Sequence, residues 1–523
     1  AQQAQEPAVI ELTPDADASV IAGDASGPLV STSDGLLQGM STTTPTRIFL
    51  GIPYAEPPVG ALRLRAPRPA RRWSGIRRAD TFGPACVQPQ SVFAAEGPRS
   101  EDCLSLNVYA GNRSPNAPVM VFIHGGSFVT GAGAQFDGQR LAETGQAVVV
   151  TINYRLGALG FISLPELDAE DPAAPSGNNG FRDQQLALQW VQKNIRAFGG
   201  DPTNVTVFGE SAGAVSTCIQ MVSPLSRTLA GRFIMESGSC DSTGTTKTLA
   251  QARLTSARVV SALCAGRSDV VACLRAAPAE ALIAVPVATS IFDLGWLPVI
   301  NPADPLLPQP PKTLIATGNY NRGASITGSN ARELGLFQAN AAAPVVGSIA
   351  ELGAQIDALF GPLGPRVRQQ YSAATDAEAN DVLVRLGTDL LFRCPARAFA
   401  RRSSAQGSSV YLYHFEEGLA FHAFELPYVF GTPNPRLGAA TLVEPVRQQF
   451  QTAFTSFAAT GVPQPRVIAD NGAVPGVLVQ DLPPWPKYTA ETDRHISIKS
   501  DTQEGTGLSR ADCDFLESVG LVQ

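Results

Sequence analysis

One short stretch limits what this chain can become. Gly209-Glu210-Ser211-Ala212-Gly213 is preceded by a β-branched, apolar run at 204–208 and followed by residues 212–221, which read as a helix. The chain must therefore turn from a strand directly into a helix within one or two residues. Glycines on both sides keep side chains out of so crowded a turn. The turn holds Ser211 in a strained backbone conformation at the helix start, where unpaired N–H groups and the positive end of the helix dipole gather. A G-x-S-x-G string alone is common and could be an ordinary glycine-rich turn. Its strand and helix flanks make Ser211 a candidate nucleophile.

Other apolar, β-branched runs lie at 119–123, 147–152, 232–235 and 410–415. They show no polar alternation, as expected of strands covered on both faces. Between them lie helical patterns, the clearest from Phe181 to Phe198, with Ala187, Trp190, Val191, Ile195 and Phe198 on one face. Gly199-Gly200 ends it. Strands alternating with helices predict an α/β fold with a large, mostly parallel sheet. The 41 Pro and 48 Gly concentrate in connections, and no stretch reads as a linker. The expectation is one domain over 1–523 with long insertions.

His124-Gly125-Gly126-Ser127 follows the run at 119–123. Adjacent glycines let backbone N–H groups approach a substrate oxygen, so Gly125 and Gly126, with Ala212, are the candidate oxyanion donors. Losing one such donor costs about 3 kcal/mol of transition-state stabilisation. Of the four histidines, His414 lies inside a strand run and His495 beside the polar run 491–494. His422 falls in a loop beyond a strand and is the candidate base. Glu333, just past a short strand pattern at 323–329, is the candidate acid that orients it. With an ordinary histidine as base, activity should fall below neutral pH.

Net charge is −7, with no block of Lys or Arg, which gives no support for nucleic-acid binding. No apolar run reaches the ~18 residues of a membrane span. There is no Cys-x-x-Cys pair, so neither a metal nor a cofactor is called for. Eight cysteines in such a chain favour an oxidising compartment, secreted or periplasmic. The polar start Ala1-Gln2-Gln3-Ala4-Gln5 is not a signal peptide and suits the end left when one is removed. Asn112-Arg113-Ser114 and Asn204-Val205-Thr206 match the glycosylation pattern; the second borders a core strand.

From about Phe49 to Cys513 the sequence resembles the type-B carboxylesterases, a family that includes cholinesterases and some fungal lipases. The resemblance is carried by Glu101-Asp102-Cys103-Leu104-Ser105-Leu106-Asn107-Val108 and by Asp183-Gln184, Trp190, Asn194, Phe198-Gly199-Gly200-Asp201-Pro202 and the Ser211 motif. Phe49-Leu50-Gly51-Ile52-Pro53-Tyr54-Ala55 and Asn153-Tyr154-Arg155 add to it. It implies an α/β-hydrolase fold whose insertions form a gorge, and hydrolysis of a small-molecule carboxylic ester by Ser211, Glu333 and His422 through an acyl-enzyme. Leu334 and Ala423 stand where the family has glycine.

The resemblance also implies disulfides Cys86–Cys103, Cys264–Cys273 and Cys394–Cys513. Cys218 and Cys240 have no counterpart, and could pair or stay free. The segment 86–103 corresponds to a flap over the gorge. It is short and lacks Trp, which argues for soluble esters over a lipase acting on long-chain acylglycerols, and against a cholinesterase. Intact triad positions argue against a non-catalytic binding or adhesion protein. Phe292, Leu294 and Trp296 are candidate acyl-pocket residues, with buried core the competing reading. A polyacid ester would need Arg or Lys near the gorge.

Overall fold

The structure, a computed structural model, describes residues 27–91, 93–111, 115–241, 244–288, 295–435, 438–469, 477–482 and 484–522. Phe292, Leu294, Asn112-Arg113-Ser114 and the first five residues lie outside them.

Ten strands form the central sheet, numbered here within it: β1 (Arg47–Pro53), β2 (Ser105–Ala110), β3 (Ala117–Ile123), β4 (Val148–Ile152), β5 (Gly200–Glu210), β6 (Arg232–Glu236), β7 (Ala324–Asn330), β8 (Val410–Phe415), β9 (Arg494–Ile498) and β10 (Gln503–Thr506). Their spatial order is β10-β9-β8-β7-β6-β5-β3-β4-β2-β1. The seven strands from β9 to β4 run parallel, and antiparallel strands close both edges. Each run read as a strand in the sequence lies in this sheet.

The sheet separates two cores, and period-two alternation assigns each side chain to one of them. Val119, Val121, Ile123, Val205, Val207, Phe233 and Met235 face the first core. Met120, Phe122, Phe208 and Ile234 face the second. Both faces are buried, which is why these strands read as unbroken apolar runs.

Helix α1 (Asn179–Asn194) continues as a 3-10 turn to Phe198, and Gly199 ends it in the left-handed region at φ 89°. Asp183 is fully buried and grips Arg155 with both oxygens, at 2.6 and 2.8 Å. Gln184 Nε2 donates to Ser216 Oγ at 3.0 Å, joining α1 to helix α2 (Ala212–Val222). These bonds explain two of the residues that carry the family resemblance.

Four disulfides are present: Cys86–Cys103, Cys218–Cys240, Cys264–Cys273 and Cys394–Cys513. Cys218 and Cys240, left open by the sequence, bond to each other and tie α2 to the segment after β6. Replacing both by Ala should lower the unfolding free energy by about 3 kcal/mol, the loop-closure contribution expected at a separation of 22. A reduced urea midpoint would report it; an unmoved midpoint would refute it.

Candidate active site

Ser211, the Gly125 loop, Glu333 and His422 all follow the carboxyl ends of sheet strands, the edge where open α/β sheets bind ligands. Strand β5 ends at Glu210, and Ser211 takes φ 57°, ψ −122° before α2 begins. Its N–H donates to Glu236 O at 2.9 Å, which anchors the turn on β6. A Cβ at Gly209 would lie 2.5 Å from Gly213 O and 2.6 Å from Ile123 O, so no other residue fits there.

The Gly125 loop follows β3. A Cβ on Gly125 would meet Glu210 O and Oε2 at 2.8 Å and Ser211 Cβ at 3.1 Å, so this glycine lets the loop lie directly against the serine. Gly126 has φ 103°. Ser127, in place of a third glycine, carries a left-handed φ of 55°. Ala212 is the first residue of α2, so its N–H has no acceptor within the helix.

Glu333 follows β7 by three residues and is fully buried. Its Oε1 accepts from Asn330 N–H and its Oε2 contacts His422 Nδ1, each at 2.7 Å. That contact places a proton on Nδ1 and leaves Nε2 as the basic nitrogen. Phe337 and Phe392 flank the imidazole, with ring centroids 5.0 and 4.7 Å away. Nε2 lies 3.1 Å from Glu210 Oε1 but out of line for a hydrogen bond. Leu334, which replaces a family glycine, packs against Gly387, where a Cβ would be 2.7 Å from Leu334 Cδ2. Ala423, the other replacement, adopts φ 66°.

Burial pulls the His422 imidazole down, but the Glu210 charge, then the hydrogen bond and charge of Glu333, outweigh it and hold it up at about 9. Burial raises the Glu210 carboxyl, opposed by the imidazole beside it. The other histidines go the opposite way. Burial takes His124 down to about 4, and its ring is held by Gly125 O at 2.8 Å and by stacking on Tyr154. Burial, then Arg393 and His495, hold His414 well below its usual value. Burial lowers His495.

Ser211, His422, Gly125 and Gly126 line one cavity of about 690 Å³. Its apolar wall includes Phe82, Phe93, Phe136, Phe337, Leu426 and Phe430, and its acidic groups are Glu96, Asp137 and Glu210. Trp296 is not part of this wall. It is buried in the first core, where the competing reading placed it.

The description "Carboxylesterase family" fits residues 26–516. The chain belongs to the carboxylesterase family. It is 36% identical to para-nitrobenzyl esterase of Bacillus subtilis (strain 168) over 507 residues, 91% of this chain and 96% of that protein. It is 32% identical to acetylcholinesterase of Bungarus fasciatus over 536 residues, 92% of this chain and 84% of that one. A solved structure of PNB esterase superposes with a TM-score of 0.77 at 35% identity, over 93% of this chain and 99% of that one. The fold is the α/β-hydrolase fold, and the chain is a carboxylic ester hydrolase.

Three things about this carboxylesterase site escaped the sequence. The wall aromatics come from positions scattered between 82 and 430, with no shared motif. Glu425, three residues after His422, is fully buried beside the site. Glu210 sits in plain view inside the G-x-S-x-G motif, where adjacency to Ser211 is the signal that could have found it.

The raised imidazole changes the expected pH dependence. An imidazole accepts a proton only when neutral, so catalysis through His422 would make kcat/KM fall about tenfold per pH unit below about 9, not merely below neutrality. Glu210→Gln removes the main charge raising His422 and should move this limb to lower pH. A profile flat between pH 7 and 9 would show that the imidazole is not raised; a profile flat from pH 5 to 9 would exclude His422 as the titrating group.

Proposed function

We propose that Ser211, His422 and Glu333 form the catalytic triad and that the N–H groups of Gly125, Gly126 and Ala212 form the oxyanion hole. His422 Nε2 takes the Ser211 proton as Oγ attacks the ester carbonyl, and the carbonyl oxygen becomes the oxyanion held by the three N–H groups. Collapse expels the alcohol, which His422 protonates. Water, deprotonated by the same nitrogen, then cleaves the acyl-enzyme. Glu333 keeps the imidazole in the tautomer that this needs. The observation that carries this reading is the 2.7 Å contact between Glu333 Oε2 and His422 Nδ1 at a cavity that Ser211 also lines.

The cavity supports bulky, largely apolar esters as substrates. Its volume suits a drug-sized molecule, and its wall is mostly aromatic and aliphatic. Among the described lining residues there is no Lys or Arg, while Glu96, Asp137 and Glu210 are present. A polyacid ester would bring its charges into an acidic chamber, so a neutral ester suits the site better. The four disulfides fit secretion or a periplasmic location. Among the described residues no helix is long and apolar enough to cross a membrane. One catalytic domain accounts for the chain, because the sheet draws strands from Arg47 through Thr506.

Two experiments test these readings. Ser211→Ala should abolish p-nitrophenyl ester hydrolysis and fluorophosphonate labelling while leaving the circular dichroism spectrum unchanged; retained turnover would remove Ser211 as nucleophile. Across esters from acetate to palmitate, activity should be highest on dissolved substrates and gain nothing from an emulsion interface. Matched acids should be tested alongside, and a preference for a tricarboxylate ester over its neutral counterpart would overturn the charge argument.

A further inference from the structure

On the second-core face of the sheet, the carboxyl ends of four adjacent parallel strands carry side chains in a row. Register pairs Glu210 of β5 with Glu236 of β6, Glu236 with Gly328 of β7, and Gly328 with Tyr413 of β8. Register partners in parallel strands project to the same side. Gly328 leaves a gap in the row, and Tyr413 fills it: a Cβ there would lie 2.2 Å from Tyr413 Cδ1. Glu425 packs on this face from the start of helix α3 (Leu426–Phe430), accepting from Asn330 Nδ2 and, at 3.5 Å, from Ser237 Oγ.

Glu236 is fully buried, and neither of its carboxyl oxygens has a hydrogen-bond partner. Tyr413 Oη and Glu210 Oε1 are buried and unpartnered as well. The titratable groups facing Glu236 are Glu210 from β5, Glu425 from the start of α3 and Tyr413 from β8, with Glu333 and His422 beyond them. Among the described residues no Lys or Arg forms an ion pair with Glu210, Glu236 or Glu425. An ionised carboxylate so buried and so surrounded is very costly, whereas a neutral carboxyl is a good donor to the acceptors around it. Burial, then Glu425 and Glu210, push the Glu236 carboxyl well up.

We propose that Glu236 is a positioning residue for His422, keeping its proton at working pH and donating it along the row, through a buried water, to the Glu210 carboxylate beside His422 Nε2. The donation holds Glu210 ionised and fixed in orientation. Without it, Glu210 retains a proton of its own and no longer raises the imidazole. The proposal rests on His422 being the base.

The test compares Glu236→Gln, which keeps the size and supplies an amide N–H, with Glu236→Met, which keeps the bulk and supplies no donor. Profiles of kcat/KM against pH are measured for both, for Glu210→Gln and for the Glu210→Gln/Glu236→Met double variant. Glu236→Gln should keep the acid limb at its native position. Glu236→Met should move it down by about one pH unit and lower kcat, with KM within about twofold. The double variant should show no shift beyond that of Glu210→Gln, because Glu236 acts through Glu210.

An unmoved limb in Glu236→Met, or equal shifts in the Gln and Met variants, would overturn the proposal. The infrared carbonyl band of a protonated, water-shielded carboxyl gives a readout that needs neither activity nor the Met variant. The native protein at pH 7 should show it, and Glu236→Gln should lose part of it. No loss would mean that Glu236 is ionised. A His422→Ala control separates the two hypotheses: if it retains turnover, the base assignment fails, while the infrared result still decides the Glu236 proton.

Discussion

A Cβ on Gly213 would lie 1.9 Å from the carbonyl oxygen of Ile123, so the first turn of α2 rests directly on the end of β3. That contact fixes where Ser211 can be. Gly125, two residues beyond Ile123, is held against Glu210 and Ser211, and Gly238, beyond β6, would meet Ser211 O at 2.7 Å if it carried a Cβ. Three strand ends thus converge on one serine through backbone contacts, which vary far less than side-chain contacts do. The positive φ of Ser211 costs about 1–3 kcal/mol. It is offset by the bond from Ser211 N–H to Glu236 O. A serine held this way needs no packing of its own side chain, and Ser211 lines the cavity.

The same convergence crowds acids around a single imidazole. Glu210 is on the nucleophile strand, Glu333 after β7 and Glu425 three residues beyond His422, and all are buried. Their charges favour the imidazolium, the state His422 would adopt in the proposed attack by Ser211, and would so stabilise its transition state. The same charges raise the imidazole of the free enzyme, which works against its acting as a base at neutral pH. The balance improves if part of the cluster is neutral. A protonated Glu236 limits the total charge while still orienting Glu210, which reconciles a strongly basic imidazole with a burial that could not tolerate every carboxylate ionised.

What the sequence made legible follows from how each feature is encoded. Strands buried on both faces favour apolar residues along their length, so β3 to β6 and β8 were readable as runs. The turn at Ser211 needs glycine at fixed offsets, so it was readable as a motif. Glu333 was legible because a strand end lies just before it. Cavity walls have no such local code: Phe93, Phe136, Phe337 and Phe430 meet only through tertiary folding, and large apolar residues such as Trp296 look the same in a core as in a wall. Ser127 and Ala423 show a different limit. Both sit in left-handed backbone where glycine is favoured, at φ 55° and 66°, and the loops keep that conformation although the residue type argues against it.

The flap bears on substrate choice through its stiffness. Cys86–Cys103 closes it, and Gln88 fastens it from within: Nε2 donates to Cys86 O at 3.0 Å and Gly131 O at 2.9 Å, while Oε1 accepts from Ala95 N and Gly131 N. Arg99 adds bonds to Gln88 O and Ala95 O. Gly131 closes the loop that begins at Gly125, so flap and oxyanion loop are bound together. Swinging the flap aside, as a lid does at an oil surface, would break these bonds and disturb the geometry that catalysis requires. A substrate must instead enter the cavity as it stands, past Phe82 and Phe93 at its partly exposed rim. An entrance of this kind selects dissolved esters by shape and apolar contact, which makes the rim, more than the triad, the place where relatives of this fold can diverge in substrate.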